Sequence, residues 1–378
     1  AADFDRDGDL DLFVGTRSIP GQYPATPVSQ LLINDGTGVF TQAPLSKAPG
    51  LDKVGLVTSA LWSDANNDGW LDLFITTEWG LIRYFTNAKG TLLDATQQVG
   101  LAGETKASYG WWNGIAGRDI DADGDIDYVV TNMGTNTHFQ PSVEQPELIF
   151  YDDFDGSGKK HIIGGHFKTE KGNVICYPRA SFTAAGGAMN MVFEKMQTFH
   201  EYASAPLPEI YGLSKLENAF TVRADNASSS VLINDGVGKF TLTPLPNLAQ
   251  VSPSYGVALS DIDLDGYTDC YLVQNHYSMA QEIGILGSGL SILLKGTGET
   301  KAPFTEVWPK KSGLEVPEDA KSLSAVDLNS DGYTDFVVGL NDAAPEIFVN
   351  QIAETSSNRP LTLRLSLKGN PTAVGSRV

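Results

Sequence analysis

The sequence is poor in cysteine, histidine and positive charge. Its two cysteines, Cys176 and Cys270, form no CxxC pair and no Cys/His cluster, which argues against a zinc site. They are expected either as one disulfide or as two free buried thiols. Lys and Arg number 26 against 46 Asp and Glu, a net charge of −20, so the basic face that nucleic-acid binding needs is missing. No run of 18 apolar residues occurs, and no helical membrane span is expected. The histidines His138, His161, His166, His200 and His276 are scattered, and no nucleophile elbow, HExxH, P-loop or GxGxxG context exists. A non-enzymatic role is therefore expected.

Glycine and proline are plentiful, with 39 and 19 residues, as in a turn-rich all-β protein. A chain of 378 residues exceeds the ~250–300 that one core serves, so it must divide into domains or repeat a unit. It repeats. DFDRDGDLDLFVG from Asp3 recurs from Asp64, Asp119, Asp261 and Asp327, with a weaker copy, DFDGSGKKHIIGG, from Asp153. A unit of about 60 residues fits if one unit is shortened and two share the gap between Asp153 and Asp261. Between the loops, LLINDGTGVFT from Leu31 returns as VLINDGVGKFT from Val231, a hairpin signal because Asn and Gly tolerate positive φ. Small-residue strands (SALWSD, GIAGRD, GVALSD, SLSAVD) precede the loops, and alternating runs such as LDLFIT and IDYVVT follow, read as strands with one buried face.

One unit is thus small strand, Asp loop, apolar strand and hairpin. Four-stranded units of this kind predict an all-β propeller with small residues on the crowded innermost strand. The stretch 188–219 breaks the pattern and reads as an insertion of two short helices parted by Pro206 and Pro208. The chain opens inside a motif, so it is expected to be a piece of a longer protein.

The loops have the spacing of a hard-cation cage. Oxygen side chains stand at positions 1, 3, 5 and 9, Gly at 6 allows the sharp turn, and the carbonyl at 7 can face inward. The candidate ligands are Asp3, Asp5, Asp7, Asp9 and Asp11; Asp64, Asn66, Asp68, Trp70 and Asp72; Asp119, Asp121, Asp123, Asp125 and Asp127; Asp261, Asp263, Asp265, Tyr267 and Asp269; and Asp327, Asn329, Asp331, Tyr333 and Asp335. Position 12 is apolar in all five (Val14, Ile75, Val130, Leu272, Val338), which excludes the EF-hand and its Glu. Carboxylates ~4 Å apart repel by about 4 kcal/mol at an effective dielectric of ~20, so Ca²⁺ is expected at about five sites. In the weak loop, Asp153, Asp155 and Ser157 keep positions 1, 3 and 5, but His161 holds position 9, and a degenerate turn is the favoured reading. The five full loops hold 20 Asp, and five Ca²⁺ would offset half of the net charge.

The repeat resembles the FG-GAP/VCBS repeats of integrin α-chain propellers and of many secreted bacterial proteins. ADFDRDGDLDLFVG at Ala2, GWWNGIAGRDIDADGDIDYVV at Gly110 and FDGSG at Phe154 are similar to bacterial surface proteins related to cartilage acidic protein, which join VCBS repeats to an ASPIC/UnbV domain. The tail NRPLTLRLSLKGNPTAVGSRV looks like the first strands of that domain. The resemblance implies secretion or bacterial surface display, calcium in the nine-residue loops, and seven blades, with six as the alternative. The domain expectation is a propeller over 1–355 and the start of an ASPIC/UnbV-like β domain over 356–378.

If the small strand is innermost, all Asp loops share one face, and the strands that follow end on the other. That second face is expected to collect Arg17, Glu78, Trp79, Asn132, His138, Asn275, His276, Tyr277, Asn341 and Asp342, joined by Tyr109, Trp111 and Trp112. Trp79, Tyr109, Trp111, Trp112, His138, His276 and Tyr277 are the candidates for contact with a protein or glycan partner. The competing reading packs Trp111 and Trp112 between blades. A binding or adhesion module is the expected function. The alternatives are a self-assembling subunit of a surface layer or extracellular assembly, and a Ca²⁺-dependent enzyme acting on polysaccharides.

Overall fold

Three of the five strands that follow a full Asp loop have no polar face. Asp72–Thr77, Asp127–Val130 and Asp269–Gln274 are buried without interruption. The expectation of one buried face is therefore corrected for these three, whereas Leu12–Val14 and Asp335–Leu340 are buried only in part. Alternate residues of each strand enter different cores: Leu73 and Ile75 pack with Phe4, Leu31 and Phe85, whereas Phe74 packs with Tyr84, Tyr128 and Leu232. Val129 likewise joins Cys270 and Leu272, and Tyr271 and Val273 join Phe336 and Val338. The sheets that carry these three strands are each flanked by another on either side, which removes water from both faces of the strand.

The computed structural model describes residues 1–103, 108–278, 284–352 and 358–361. The chain is mostly β, in antiparallel sheets. The first sheet is β1 (Leu12–Val14), β2 (Gln30–Asn34) and β3 (Phe40–Gln42). The second is β4 (Leu56–Ser63), β5 (Asp72–Gly80), β6 (Ile82–Asn87) and β7 (Leu92–Asp94), with the short β8 (Gly110–Trp111) added to the far end of β5. The third begins with β9 (Ile115–Arg118) and β10 (Asp127–Val130). It is then interrupted by β11 (Glu147–Asp152), β12 (His161–Glu170), β13 (Asn173–Pro178) and β14 (Phe220–Ala224), which form a sheet of their own in the order β13-β12-β11-β14. Only afterwards do β15 (Ser230–Asn234) and β16 (Phe240–Pro244) complete the third sheet, with Val130 directly opposite Ser230. The fourth sheet is β17 (Ser254–Ser260), β18 (Asp269–Gln274), β19 (Ile292–Gly296) and β20 (Phe304–Val307). The fifth is β21 (Ala320–Val326), β22 (Asp335–Leu340) and β23 (Glu346–Phe348).

The insertion is thus larger than sequence suggested. It runs from 131 to 229, leaves and re-enters at the strand ends remote from the Asp loops, and carries five short helices (α1 Phe182–Ala188, α2 Met191–Lys195, α3 Phe199–Ser204, α4 Leu207–Tyr211, α5 Leu213–Asn218) where two were expected over 188–219. Its helices pack on its own sheet around Phe154, Ile163, Val192 and Ile210. The gap after Asp153 therefore holds no two shared units. Among the described residues there are five repeat sheets, against the seven or six expected, and the first and fifth have three strands each.

The small-residue strands do adjoin one another: β4 touches β9, β9 touches β17, and β17 touches β21. The approach is close enough to demand glycine. A Cβ on Gly256 would stand 2.7 Å from the Leu323 nitrogen, and one on Gly114 would stand 2.4 Å from the Tyr255 carbonyl oxygen. Cys176 and Cys270 lie in different sheets and are both free. The expected ASPIC/UnbV-like segment lies almost wholly outside the described residues.

Candidate metal centres

Each full Asp loop has the same backbone. Position 4 is left-handed in all five, at Arg6, Asn67, Ala122, Leu264 and Ser330, with φ of 56–62°. Only Asn is suited to that region, and non-Gly residues held there cost on the order of 1–3 kcal/mol. Gly at position 6 is also at positive φ, and its N–H donates to the first Asp: Gly8 to Asp3, Gly69 to Asp64, Gly124 to Asp119, Gly266 to Asp261 and Gly332 to Asp327, at 2.8–3.2 Å. The position 5 carboxylate accepts from the N–H at position 7 in every loop, as from Asp9 to Asp7 and from Trp70 to Asp68.

The turn gathers oxygens that it does not satisfy. Carboxylate atoms of Asp3, Asp5 and Asp11 lie within 4.8 Å of one another, as do those of Asp119, Asp121 and Asp127, and of Asp261, Asp263 and Asp265. Buried oxygens with no hydrogen-bond partner among the described residues concentrate here: Oδ1 of Asp3, Asp5 and Asp9 with Oδ2 of Asp11 in the first loop, Oδ1 of Asp119 and Asp121 in the third, Oδ1 of Asp64 in the second, and Oδ1 of Asp263 in the fourth. Burial pushes Asp72 up to about 6, Asp127 up to about 7 and Asp269 up to about 6, and it also raises Asp5 and Asp11. Unpaired anionic oxygens in such a place fit a hard divalent cation, which supplies the missing charge and accepts six to eight oxygens.

The loops are not equivalent. The second and fifth have Asn66 and Asn329 at position 3, each accepting the N–H at position 5. In the fourth, Lys295 Nζ bonds Asp263 and lies 3.0 Å from Asp265. The weak loop copies the backbone, with Asp153 accepting from the N–H groups of Gly156, Ser157 and Gly158, but His161 Nε2 stands 3.7 Å from Asp155. Side chains at position 7 reach outward: the Arg6 guanidinium lies 4.3 Å over the Trp70 ring, Asn67 bonds Asp125, and Tyr333 donates to the Asn358 carbonyl.

Position 9 is a lock. Asp127 accepts from Ile120 N and Asn234 N, Asp269 from Ile262 N and Gly296 N, and Asp335 from Leu328 N and Asn350 N. These bonds tie the loop to the hairpin of its own sheet. The hairpin Asn then reaches the neighbouring loop. Asn87 Nδ2 donates to Phe4 O at 2.7 Å, Asn234 Nδ2 to Ala65 O at 2.8 Å and Asn350 Nδ2 to Ile262 O at 3.0 Å. Between the third and fourth sheets, Thr268 Oγ1 donates to Asp119 O at 2.7 Å instead. Every junction between consecutive loops is clamped. The sequence shows Asn34 and Asn234 as turn formers only, and nothing local to them marks the reach to a neighbouring loop.

The opposite face is more occupied than expected. Trp112 is fully buried in the core between the second and third sheets, and Trp111 packs with Phe139, Ala224 and Ala227 where the insertion departs. Trp112 thus packs between two sheets, whereas Trp111 packs against the insertion rather than between repeat sheets. Trp79 stacks edge-on against Trp111 and donates to Tyr23, whose hydroxyl joins Glu78, itself paired with Arg17. Tyr109 is half-buried beneath Arg223, and Asn132 and Asn275 are buried. His276 is half-buried, its Nδ1 facing Tyr255 Oη at 2.7 Å and Lys321 Nζ at 3.1 Å. Lys321 also holds Asn275 O and Asp319, so its three donors are used. Tyr277 is exposed and donates to Pro317 O. His138, also exposed, borders a polar cleft of ≈ 400 Å³ with Asn136, Gln140 and Ser252.

Comparison with known proteins identifies FG-GAP-like repeats at residues 3–75 and 64–130, the first two pairs of successive loops. No curated protein matches the sequence. Among solved structures, the V. cholerae biofilm matrix protein Bap1 aligns with 92% of this chain at 11% identity and a TM-score of 0.27. This chain spans 66% of that one, and so distant a likeness carries no argument.

Proposed function

We propose that the FG-GAP-like repeats continue through the fourth and fifth sheets as blades of one calcium-binding β-propeller that works outside the cell as a protein- or glycan-binding module. The observation that carries the calcium reading is the set of buried, unpartnered carboxylate oxygens in the Asp3–Asp11 and Asp119–Asp127 loops. Those residues would hold the ion, with Asp64, Asp68 and Asp72 and with Asp327, Asp331 and Asp335 as weaker cages. The ion supplies charge compensation. The propeller reading is supported by sheets that stack face to face and by adjacent small-residue strands. Extracellular modules bind calcium at ~10⁻⁴–10⁻³ M, the range expected here.

Calcium titration by calorimetry, paired with thermal melts in chelator and in millimolar Ca²⁺, tests the first claim. At ~1 mM Ca²⁺ each site of that affinity adds about 0.4–1.4 kcal/mol of stability, so several sites together should raise the melt by a few degrees. A melt indifferent to chelator with no heat of binding refutes it. For the binding role, the insertion root and the cleft beside His138 offer a polar, accessible surface. A glycan array probed with wild type and His138→Ala checks this: signal lost in the variant supports that surface. Retained signal places the partner elsewhere.

A further inference from the structure

The fourth loop differs from its siblings in what the hairpin brings to it. In each repeat one hairpin residue donates its N–H to the position 9 Asp: Asn34, Asn87, Asn234, Gly296 and Asn350. The residue just before it varies, and in the second and fourth repeats its side chain touches the loop. It is Ile33, Thr86, Ile233 and Val349 in four repeats and Lys295 in the fourth. Lys295 bonds Asp263 Oδ2 and Asp265 Oδ2, which are positions 3 and 5. Asp261, at position 1, is taken by the N–H groups of Asp265 and Gly266. One buried oxygen in this loop is left unpartnered, Asp263 Oδ1, against four in the first loop.

We propose that the fourth loop carries its own cation, the Lys295 ammonium lying between Asp263 and Asp265 where a divalent ion would otherwise be held, so that this loop keeps its shape without calcium. The inference rests on the reading of the other loops as calcium cages. Its physical basis is competition at high effective concentration: the ammonium is tethered on strand β19, and an incoming ion must break both ion pairs and displace a charge that cannot diffuse away. The chain then binds calcium at no more than four of its five full loops, and the fourth serves as a constitutive joint between its neighbours.

The test is the number of Ca²⁺ ions bound per chain, from equilibrium dialysis of wild type, Lys295→Met, Lys295→Arg and Asp265→Asn. Lys295→Met should bind one ion more than wild type, and should melt lower than wild type in chelator. Lys295→Arg should keep the wild-type count. Asp265→Asn, in a loop that holds no ion, should leave the count unchanged. Equal counts in wild type and a folded Lys295→Met overturn the proposal, and so does the loss of one ion in Asp265→Asn, a result that does not depend on the Met variant folding. Absence of calcium binding by every protein would instead remove the premise.

Discussion

The clamp between loops gives a prediction with an internal control. Asn87 is 2% exposed and makes three hydrogen bonds from its side chain: to Phe4 O across the sheet junction at 2.7 Å, to Leu71 O at 2.9 Å and from Gly90 N at 2.8 Å. Asn87→Ala removes all three, at ~1 kcal/mol each, and strands carbonyls that have little water, at a further ~1–3 kcal/mol. We expect a loss of about 4–6 kcal/mol. Asn34 holds the same place in the first hairpin, but its side chain makes longer bonds, to Leu10 O at 3.3 Å and from Gly38 N at 3.2 Å, at an exposed site. Asn34→Ala should cost about 1 kcal/mol or less. Urea unfolding followed by tryptophan fluorescence, in excess calcium, measures both. If the two variants differ by less than about 1 kcal/mol, reach across the junction is not what makes these residues matter.

Three further outcomes are expected. Because Val130 and Ser230 are directly paired, replacing residues 132–228 with an Asn-Gly turn should leave the repeat sheets folded and the calcium count unchanged, as read by circular dichroism and dialysis; loss of β signal would show the insertion to be structural. Trp111→Ala should cost about 3–5 kcal/mol by opening a cavity against Phe139 and Trp79, and should expose the insertion root to limited proteolysis; a fully stable variant would return Trp111 to the list of partner contacts. Burial raises the Cys270 thiol and pushes Cys176 up to about 12, so thiol reagents should label neither in the native state and both after denaturation; rapid native labelling would contradict the packing.

The sequence by itself determined what lies within a few residues. The nine-residue Asp loops, the glycine at their sixth position, the strands beside them and the hairpin turns were all legible, because their geometry is fixed by spacing along a short stretch of chain. The left-handed position 4 was less so, since Arg6, Ala122, Leu264 and Ser330 carry no signal for it. Only the tertiary structure decided which pieces share a sheet. β10 and β15 complete one another across the whole insertion, and no local pattern records that the hairpin opening at Val231 belongs with the loop at Asp119. Stacking also decided that three of the post-loop strands bury both faces, that Trp111 and Trp112 are packing residues, and that Asn234 closes a clamp 169 residues away. Lys295 gains its meaning the same way. On the chain it is one more lysine in a strand, and only the fold of β19 beside the fourth loop sets its charge against Asp263 and Asp265.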